Sequence, residues 1–576
     1  MQEAQVNRNI YDPRLWKRFW EIARPYWVSE QKWKAFTLLA ILLALPISLH
    51  KSMALFYSFL AQSSTALETR DPHLFKEVIL KIPVAIAAVA LSGVFLTYLG
   101  NRLSYEWQLW LTTRFLEKYF GNRAFYHISA TPEIDNPDQR ICDSIGSFTG
   151  IAIGFITICH NSIVALVIHT GVLWSISARL CLLLLLYAAI GTVVASLFGK
   201  RLISLNFKFL QSGADFRYGL LQIRENAESI AFYRGENREN AKITEKVREM
   251  IGVQRMLIGW ERNLELFTAG HAGYNYFLPF LVLAPLFLSG KLPFGDITRA
   301  SLSFGQVYFA LVIAANYLKL FGRLATETTR LETFETAMSQ AATGKIPAGA
   351  STIDSKTGSR LALDNLTVQT PDYQHILLRE ATAEISPGRG LLIAGDSGSG
   401  KSSLLRSIAG LWNAGDGQIT RPPLEEMFFL PQRPYLVLGS LREQLTYPRL
   451  DGKATDGELE DVLAKVNLEG LAERFGGFDV VMDWGRLLSP GEQQRLAFAR
   501  LLLTMPRYAV LDEATSALDV NNEARLYRHL RESGMTYVSV GHRPTLLDYH
   551  DNVLELQGGG NWRLMSTDEF RTASAA

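Results

Sequence analysis

Three cysteines in 576 residues (Cys142, Cys159 and Cys181) are too few for a disulfide framework, and two of them lie inside apolar runs. Nothing in the chain asks for an oxidising compartment. Charge is scarce as well. Asp, Glu, Lys and Arg make up 20% of the residues, below the ~25% common in soluble proteins. The charges that are present cancel, 58 basic against 56 acidic, so there is no whole-chain field to attract nucleic acid. Glycine and proline, at 44 and 21 residues, show no period, which excludes collagen-like and low-complexity chains. The surplus lies in apolar residues, at 48% with 11 tryptophans, and in a mean hydropathy of +0.07. That balance belongs to a chain partly immersed in lipid.

The apolar surplus is concentrated before residue 335. A spanning helix needs about 20 mainly apolar residues, and six runs qualify: Ala35–Ala61, Ile82–Leu99, Ile151–Ile176, Leu180–Gly199, Leu266–Leu288 and Ala300–Leu318. Only the first carries a charge, at Lys51 beside His50. Basic residues set the orientation. Seven Lys or Arg fall within residues 1–34 and twelve within 200–262, whereas the turn after the third run holds only Arg179. Both termini and the two long loops are therefore expected on the cytoplasmic side. The opening YDPRLWKRFWEIARPYW mixes aromatic and basic residues without the apolar core of a signal peptide, and it reads as a helix lying at the membrane surface. The long inner segments, such as RENAESIAFYRGENRENAKITEKVREM, interleave charges with few helix breakers, so the helices should continue past the bilayer.

The expected organisation is a membrane domain over 1–336, an Ala/Ser/Thr/Gly-rich linker over 337–360 and a soluble α/β domain over 361–576. In the last, the strand LLIA leads into Gly395-Asp396-Ser397-Gly398-Ser399-Gly400-Lys401-Ser402, a full GxxxxGK[ST] loop. Its glycines let backbone N–H groups face phosphate oxygens at a helix N-terminus, with Ser403 following in the first turn. Lys401 then reaches the β and γ phosphates, and Ser402 ligates Mg²⁺. Further on, the apolar strand YAVLD ends in Asp512 and Glu513. The first suits Mg²⁺, and the second suits a base that polarises water.

Between these lies Leu488-Ser489-Pro490-Gly491-Glu492-Gln493-Gln494-Arg495, with Gln432 in LPQRPYLVLGSLREQL upstream and Ser516-Ala517-Leu518-Asp519 and His542 in VSVGHRP downstream. With these six ordered motifs, the soluble end resembles the ATP-binding-cassette family throughout. The resemblance implies ATP and Mg²⁺ as cofactors. It makes Gln432 a sensor of the γ-phosphate and a metal neighbour, Glu513 the base, and His542 the holder of the γ-phosphate and water. It places Ser489 and Gly491, with Glu492 in the same signature, on ATP bound to the other subunit, and Asp519 in the D-loop. Two departures stand out. Pro490 and Glu492 replace the Gly and Gln of the common LSGGQ, and Thr370 stands where an adenine-stacking aromatic is usual. Tyr373 substitutes for that aromatic or is a surface tyrosine.

Six spans fused ahead of one cassette resemble the exporter-type fold of half-transporters, which implies a homodimer with composite ATP sites. Coupling helices are expected around Asn136–Ser144 and Arg224–Glu236. More narrowly, LSYEWQLWLTTRFLEKYF, IDNPDQRICD and ADFRYGLLQIRENAESIAFYRGE resemble bacterial SbmA/BacA-type transporters with fused cassettes and the eukaryotic subfamily D transporters. That likeness implies bulky, often hydrophilic solutes, antimicrobial peptides and cobalamin for the bacterial members and acyl-coenzyme A or cobalamin for the eukaryotic ones, and it implies that an exporter-shaped protein can move solute inward. The lack of an organelle-targeting extension leans towards a bacterial inner membrane. A switch without transport is the third reading, and an intact Glu513 and His542 argue against it. Polar groups within the spans mark a candidate solute path: His50, Lys51, His160, Asn161, His169, His271, Asn275 and Asn316. In hydrocarbon a charged group costs about 3 kcal/mol unless it faces protein or water. Helix–helix hydrogen bonding is the equal alternative for each His and Asn.

Overall fold

The computed structural model describes residues 13–129, 136–316, 318–343, 351–449 and 453–575. The chain divides into two units, Met1–Gly344 and Lys345–Ala576. The first is helical: α1 (Pro13–Trp27), α2 (Lys32–Glu68), α3 (Pro72–Ile79), α4 (Ile82–Phe120), α5 (Ala124–Ser129), α6 (Pro137–Gln139), α7 (Ile145–Ile176), α8 (Ala178–Glu225), α9 (Ala227–Tyr233), α10 (Glu236–Leu288), α11 (Phe294–Asn316) and α12 (Leu318–Thr343). Among the described residues five helical stretches are long and apolar enough to cross a membrane. The sixth expected run, Ala300–Leu318, covers most of α11 and the first residue of α12, and residue 317 between them lies outside the described residues.

α8 and α10 contain 48 and 53 residues. At about 1.5 Å per residue each spans about 70–80 Å, more than twice the ~30 Å hydrocarbon core, so both carry on well beyond the lipid. α1 turns one face inward through Ile22, Ala23 and Tyr26 while Trp16 and Trp20 stay exposed. This is the amphipathic pattern of the opening segment, and Tyr26 lies stacked against Trp107 of α4. α12 extends through residues whose composition suggested a linker, because Phe334 and Met338, one turn apart, are both buried against α4 and α7 side chains.

The second unit holds two sheets. β1 (Asp354–Thr357), β2 (Leu361–Gln369), β3 (Ile376–Ile385) and β5 (Gly415–Arg421) form one in the order β1-β5-β2-β3. β4 (Gly390–Gly395), β6 (Met427–Leu430), β9 (Tyr508–Asp512), β10 (Thr536–Val540), β11 (Asn552–Gly558) and β12 (Asn561–Ser566) form the other, ordered β12-β11-β4-β10-β9-β6. Only β12 runs antiparallel to its neighbour there. A parallel sheet is covered on both faces, and the side chains alternate accordingly. Leu391 and Ile393 of β4 enter one core, and Leu392 enters the other. Two-residue strands β7 (Gly439–Ser440) and β8 (Val481–Met482) pair beside a helical region of α14 (Leu441–Thr446), α15 (Asp456–Lys465), α16 (Leu471–Arg474) and α17 (Trp484–Leu487). α13 (Lys401–Ile408), α18 (Pro490–Thr504) and α19 (Val520–Glu532) complete the elements used below.

Candidate functional site

Strand register brings the motifs together. Val540, the last residue of β10, is level with Ile393 of β4 on one side and Asp512 of β9 on the other. The chain segments leaving those three strands, Gly395 onward, Glu513 and His542, therefore emerge side by side at the carboxyl edge of the sheet, where ligands bind in open α/β folds. β6 pairs with β9 up to Leu430 and Leu511, so Gln432 leaves the sheet at the same edge.

The loop after β4 turns through Gly395, Gly398 and Gly400 at φ of +142°, +83° and +99°. These values suit glycine. Gly400 caps α13 with no side-chain hydrogen bond, which leaves the first N–H groups of that helix free to face an anion. Lys401 is buried, and its Nζ donates to the carbonyl oxygens of Gly395 (2.8 Å) and Asp396 (2.7 Å). Burial lowers the pKa of its ammonium, opposed by the charges of Glu513, Asp396 and Asp512. Ser399 is buried, with its hydroxyl unpartnered among the described residues, and Ser397 sits in the same loop. Ser403 lies on α13, its carbonyl accepting from Ser407 at 3.1 Å.

Ser402 Oγ is 3.4 Å from Asp512 Oδ1. Asp512 is raised above the usual carboxylate range, chiefly by burial and further by the charge of Glu513, with the Ser402 contact opposing. The Asp512 carboxylate and the Ser402 hydroxyl are hard oxygen donors of the kind that fits Mg²⁺. Glu513 stands at the centre. Its φ is +46°, an uncommon value for a non-glycine residue, and its N–H donates to Val540 O at 3.1 Å. Gln432 Nε2 donates to Glu513 Oε2 at 2.8 Å, and His542 Nε2 lies 3.3 Å from Glu513 Oε1. Both carboxylate oxygens of Glu513 are thus held by residues that the sequence placed in separate motifs.

The signature is used differently. Ser489 caps α18 and forms a capping box with Glu492. The Glu492 N–H donates to Ser489 Oγ (3.3 Å), and Glu492 Oε2 accepts from the Ser489 N–H and hydroxyl (2.8 Å each). Pro490 occupies the first helical position, where no intrahelical partner for an N–H exists, so its missing donor costs the helix nothing. A Cβ on Gly491 would stand 3.2 Å from Ala517 O, tight against the D-loop. Asp519 is not brought to the carboxylate cluster. It caps α19, accepting from the Asn522 N–H at 2.9 Å. Tyr373 is half-buried at φ +58° in a turn closed by Thr370 and His375. That turn leads into Leu377, whose Cβ would be 3.0 Å from one placed on Gly400.

Three residues that motif reading passed over tie these pieces together. Gln494 is buried, donating to Gln432 O (3.3 Å) and Ser516 Oγ (3.1 Å) and accepting from the Ala517 N–H (2.9 Å). Glu523, fully buried, accepts from Thr515 (2.9 Å), Thr545 (2.6 Å) and Arg543 (3.3 Å). Arg543 also donates to the carbonyls of Ser516 (3.0 Å) and Leu518 (2.7 Å). The D-loop is thereby fastened to the segment carrying His542. Glu523→Ala would strand two hydroxyls and take a carboxylate from the Arg543 guanidinium. It is expected to destabilise the cassette by about 2–3 kcal/mol, read as an earlier unfolding midpoint in urea for the full chain. An unmoved midpoint would refute the fastening role.

In the membrane unit the polar residues join helices. His50 Nε2 lies 3.2 Å from Asn161 Oδ1, and its Nδ1 lies 3.3 Å from His169 Nε2. His50 and His169 are both buried, and His169 Nδ1 is unpartnered among the described residues. His160 Nε2 contacts Leu43 O at 2.8 Å. His271 stacks on Tyr187 with ring centres 3.9 Å apart, and its Nδ1 is 2.6 Å from the Tyr308 hydroxyl. Asn275 is fully buried, with both amide atoms unpartnered among the described residues. Lys51 is exposed beside buried His50, and the Asn316 side chain lies outside the described residues.

Comparison with known proteins agrees with this geometry in both units. Residues 22–288 match the family described as ABC transporter transmembrane region 2, and residues 378–516 match the ABC transporter family. An uncharacterised ABC transporter ATP-binding protein of Synechocystis is 44% identical over 93% of this chain and 82% of its own. The chloroplastic ABC transporter D family member 2 of Arabidopsis thaliana is 36% identical over 96% and 88%. The human lysosomal cobalamin transporter ABCD4 is 32% identical over 96% of each. A bacterial Atm1-family ABC exporter solved with ATP bound shares the fold, with a TM-score of 0.72 over 95% of this chain and 97% of its own at 17% identity.

Proposed function

The chain belongs to the ABC transporter family, and from that premise we propose that it works as a homodimer in a bacterial inner membrane, moving bulky, largely hydrophilic solutes of the peptide or cobalamin kind. Membership makes it an ATPase coupled to transport. The observation that carries the mechanism is the contact of Gln432 and His542 with the two carboxylate oxygens of Glu513, beside Ser402 and Asp512. ATP lies along the glycine loop with its phosphates on Lys401 and the N-terminus of α13. Ser402, Asp512 and Gln432 would hold Mg²⁺, which would supply positive charge against the phosphates. Glu513 orients the attacking water and takes its proton, His542 holds the γ-phosphate, and Tyr373 borders the adenine. Ser489, Gly491 and Glu492 of a second copy close the site from the other side.

The solute class rests on one support: a relative covering nearly the whole chain is described as a cobalamin transporter. Purified protein in proteoliposomes, with ATP on the cassette side, tests the reading using labelled cobalamin, a cationic peptide and an acyl-coenzyme A, with Glu513→Gln as the blank. Glu513-dependent movement of cobalamin or peptide is the expected result, and it also gives the direction. Movement of the acyl-coenzyme A alone would overturn the hydrophilic assignment.

A further inference from the structure

Glu492 puts a carboxylate at the end of α18 that is expected to meet a phosphate. The two oxygens of that side chain are committed. One accepts the Ser489 N–H and hydroxyl, and the other accepts Arg474 Nη1 at 2.7 Å. Burial pushes the Glu492 carboxyl up, yet the Ser489 N–H, Arg474 and the Ser489 hydroxyl together hold it below its ordinary value, so it is ionised. Its side chain is 15% exposed and that of Arg474 is 51% exposed. Arg474 comes from the end of α16 and rests over the Phe475 ring at 4.6 Å, so its guanidinium is braced by an aromatic face as well as by the ion pair. An unneutralised carboxylate there would repel a terminal phosphate approaching the same helix end.

We propose that Arg474 is a positioning residue for the signature: it holds and neutralises the Glu492 carboxylate, so that the N-terminus of α18 can accept the terminal phosphate of ATP bound to a second copy. This rests on the composite-site reading above. Arg474 does not touch the reacting atoms; it acts through Glu492. A chain with Glu at this signature position requires such a cation, whereas one with Gln does not.

ATPase rates of the full-length protein in nanodiscs, measured against ATP concentration, test the inference. Arg474→Ala is expected to raise the KM for ATP about five- to tenfold with a smaller change in kcat, and Arg474→Lys should keep most of the original KM. In a Glu492→Gln background the same Arg474→Ala change should shift KM less than twofold. The defect of Arg474→Ala should also shrink as salt is raised, since screening replaces the missing charge. If Arg474→Ala damages activity equally in the Glu492 and Glu492→Gln backgrounds, or leaves KM unchanged, the inference is overturned. Equal damage would mean that Arg474 merely packs α16. Gly491→Asp serves as the control for the underlying reading. Full hydrolysis in that variant would overturn the composite site and this inference together, while its inactivity leaves the Arg474 results to decide the inference alone.

Discussion

Glu513→Gln is expected to slow ATP hydrolysis by about 10²–10⁴-fold, the range that a positioned general base contributes, while leaving ATP binding intact. The substitution keeps the shape and one accepting oxygen. The amide oxygen can still accept from Gln432 Nε2 at the 2.8 Å position, while the amide NH2 then faces His542 Nε2 at the 3.3 Å position and bonds it only where that nitrogen is unprotonated. The group can no longer take a proton from water. It also removes one of three negative charges near Lys401, a charge that helps raise Asp512. Nucleotide should therefore be held at least as tightly as before. Phosphate release measures the first effect, and retention of labelled ATP through gel filtration measures the second, together with a closed cassette dimer. A variant that hydrolysed ATP at the original rate would assign the base to some other group.

Most of that arrangement could be read from the chain because it is local. A glycine loop, a strand ending in two acids and a signature before a helix each announce themselves within a dozen residues, and their order fixes their roles. The unread parts depend on partners far apart in sequence. Glu523 is buried by Thr515, Arg543 and Thr545, yet on paper it is one more acid on a polar helix. The His50–His169 contact joins residues 119 positions apart, and two polar residues in separate apolar runs give no hint of which of them meet. Pro490 stands at the first position of α18, where the helix itself has no use for the missing N–H, and the motif alone does not say where that helix begins. The linker boundary was unreadable for a related reason. Ala, Ser and Thr suit a loop or a helix, and burial of Met338 decides for the helix.

The second large effect concerns which copy supplies which half of the site. Within one chain, Ser489 and Glu492 are occupied with each other and with Arg474, and no described contact links them to Lys401, Ser402 or Glu513. In the homodimer proposed above, the signature of one copy would complete the site of the other. Lys401→Ala removes the cation that reaches the phosphates, and Gly491→Asp sets a charged side chain where even a Cβ stands 3.2 Å from Ala517 O. Each variant alone is expected to lose ATPase activity by at least about 10²-fold, on the scale seen when a single oxyanion-stabilising group is removed. Co-expressed with two different tags and purified as the mixed dimer, they complement. The glycine loop of the Gly491→Asp copy faces the intact signature of the Lys401→Ala copy and makes one complete site, while the opposite site carries both lesions. Up to half of the original rate should return if the sites turn over independently. Should they alternate obligatorily, the mixed dimer stays slow yet still retains ATP at its single complete site. If each copy instead closed its site with its own signature, neither site in the mixture would be complete, and neither activity nor retention would exceed that of the separate variants.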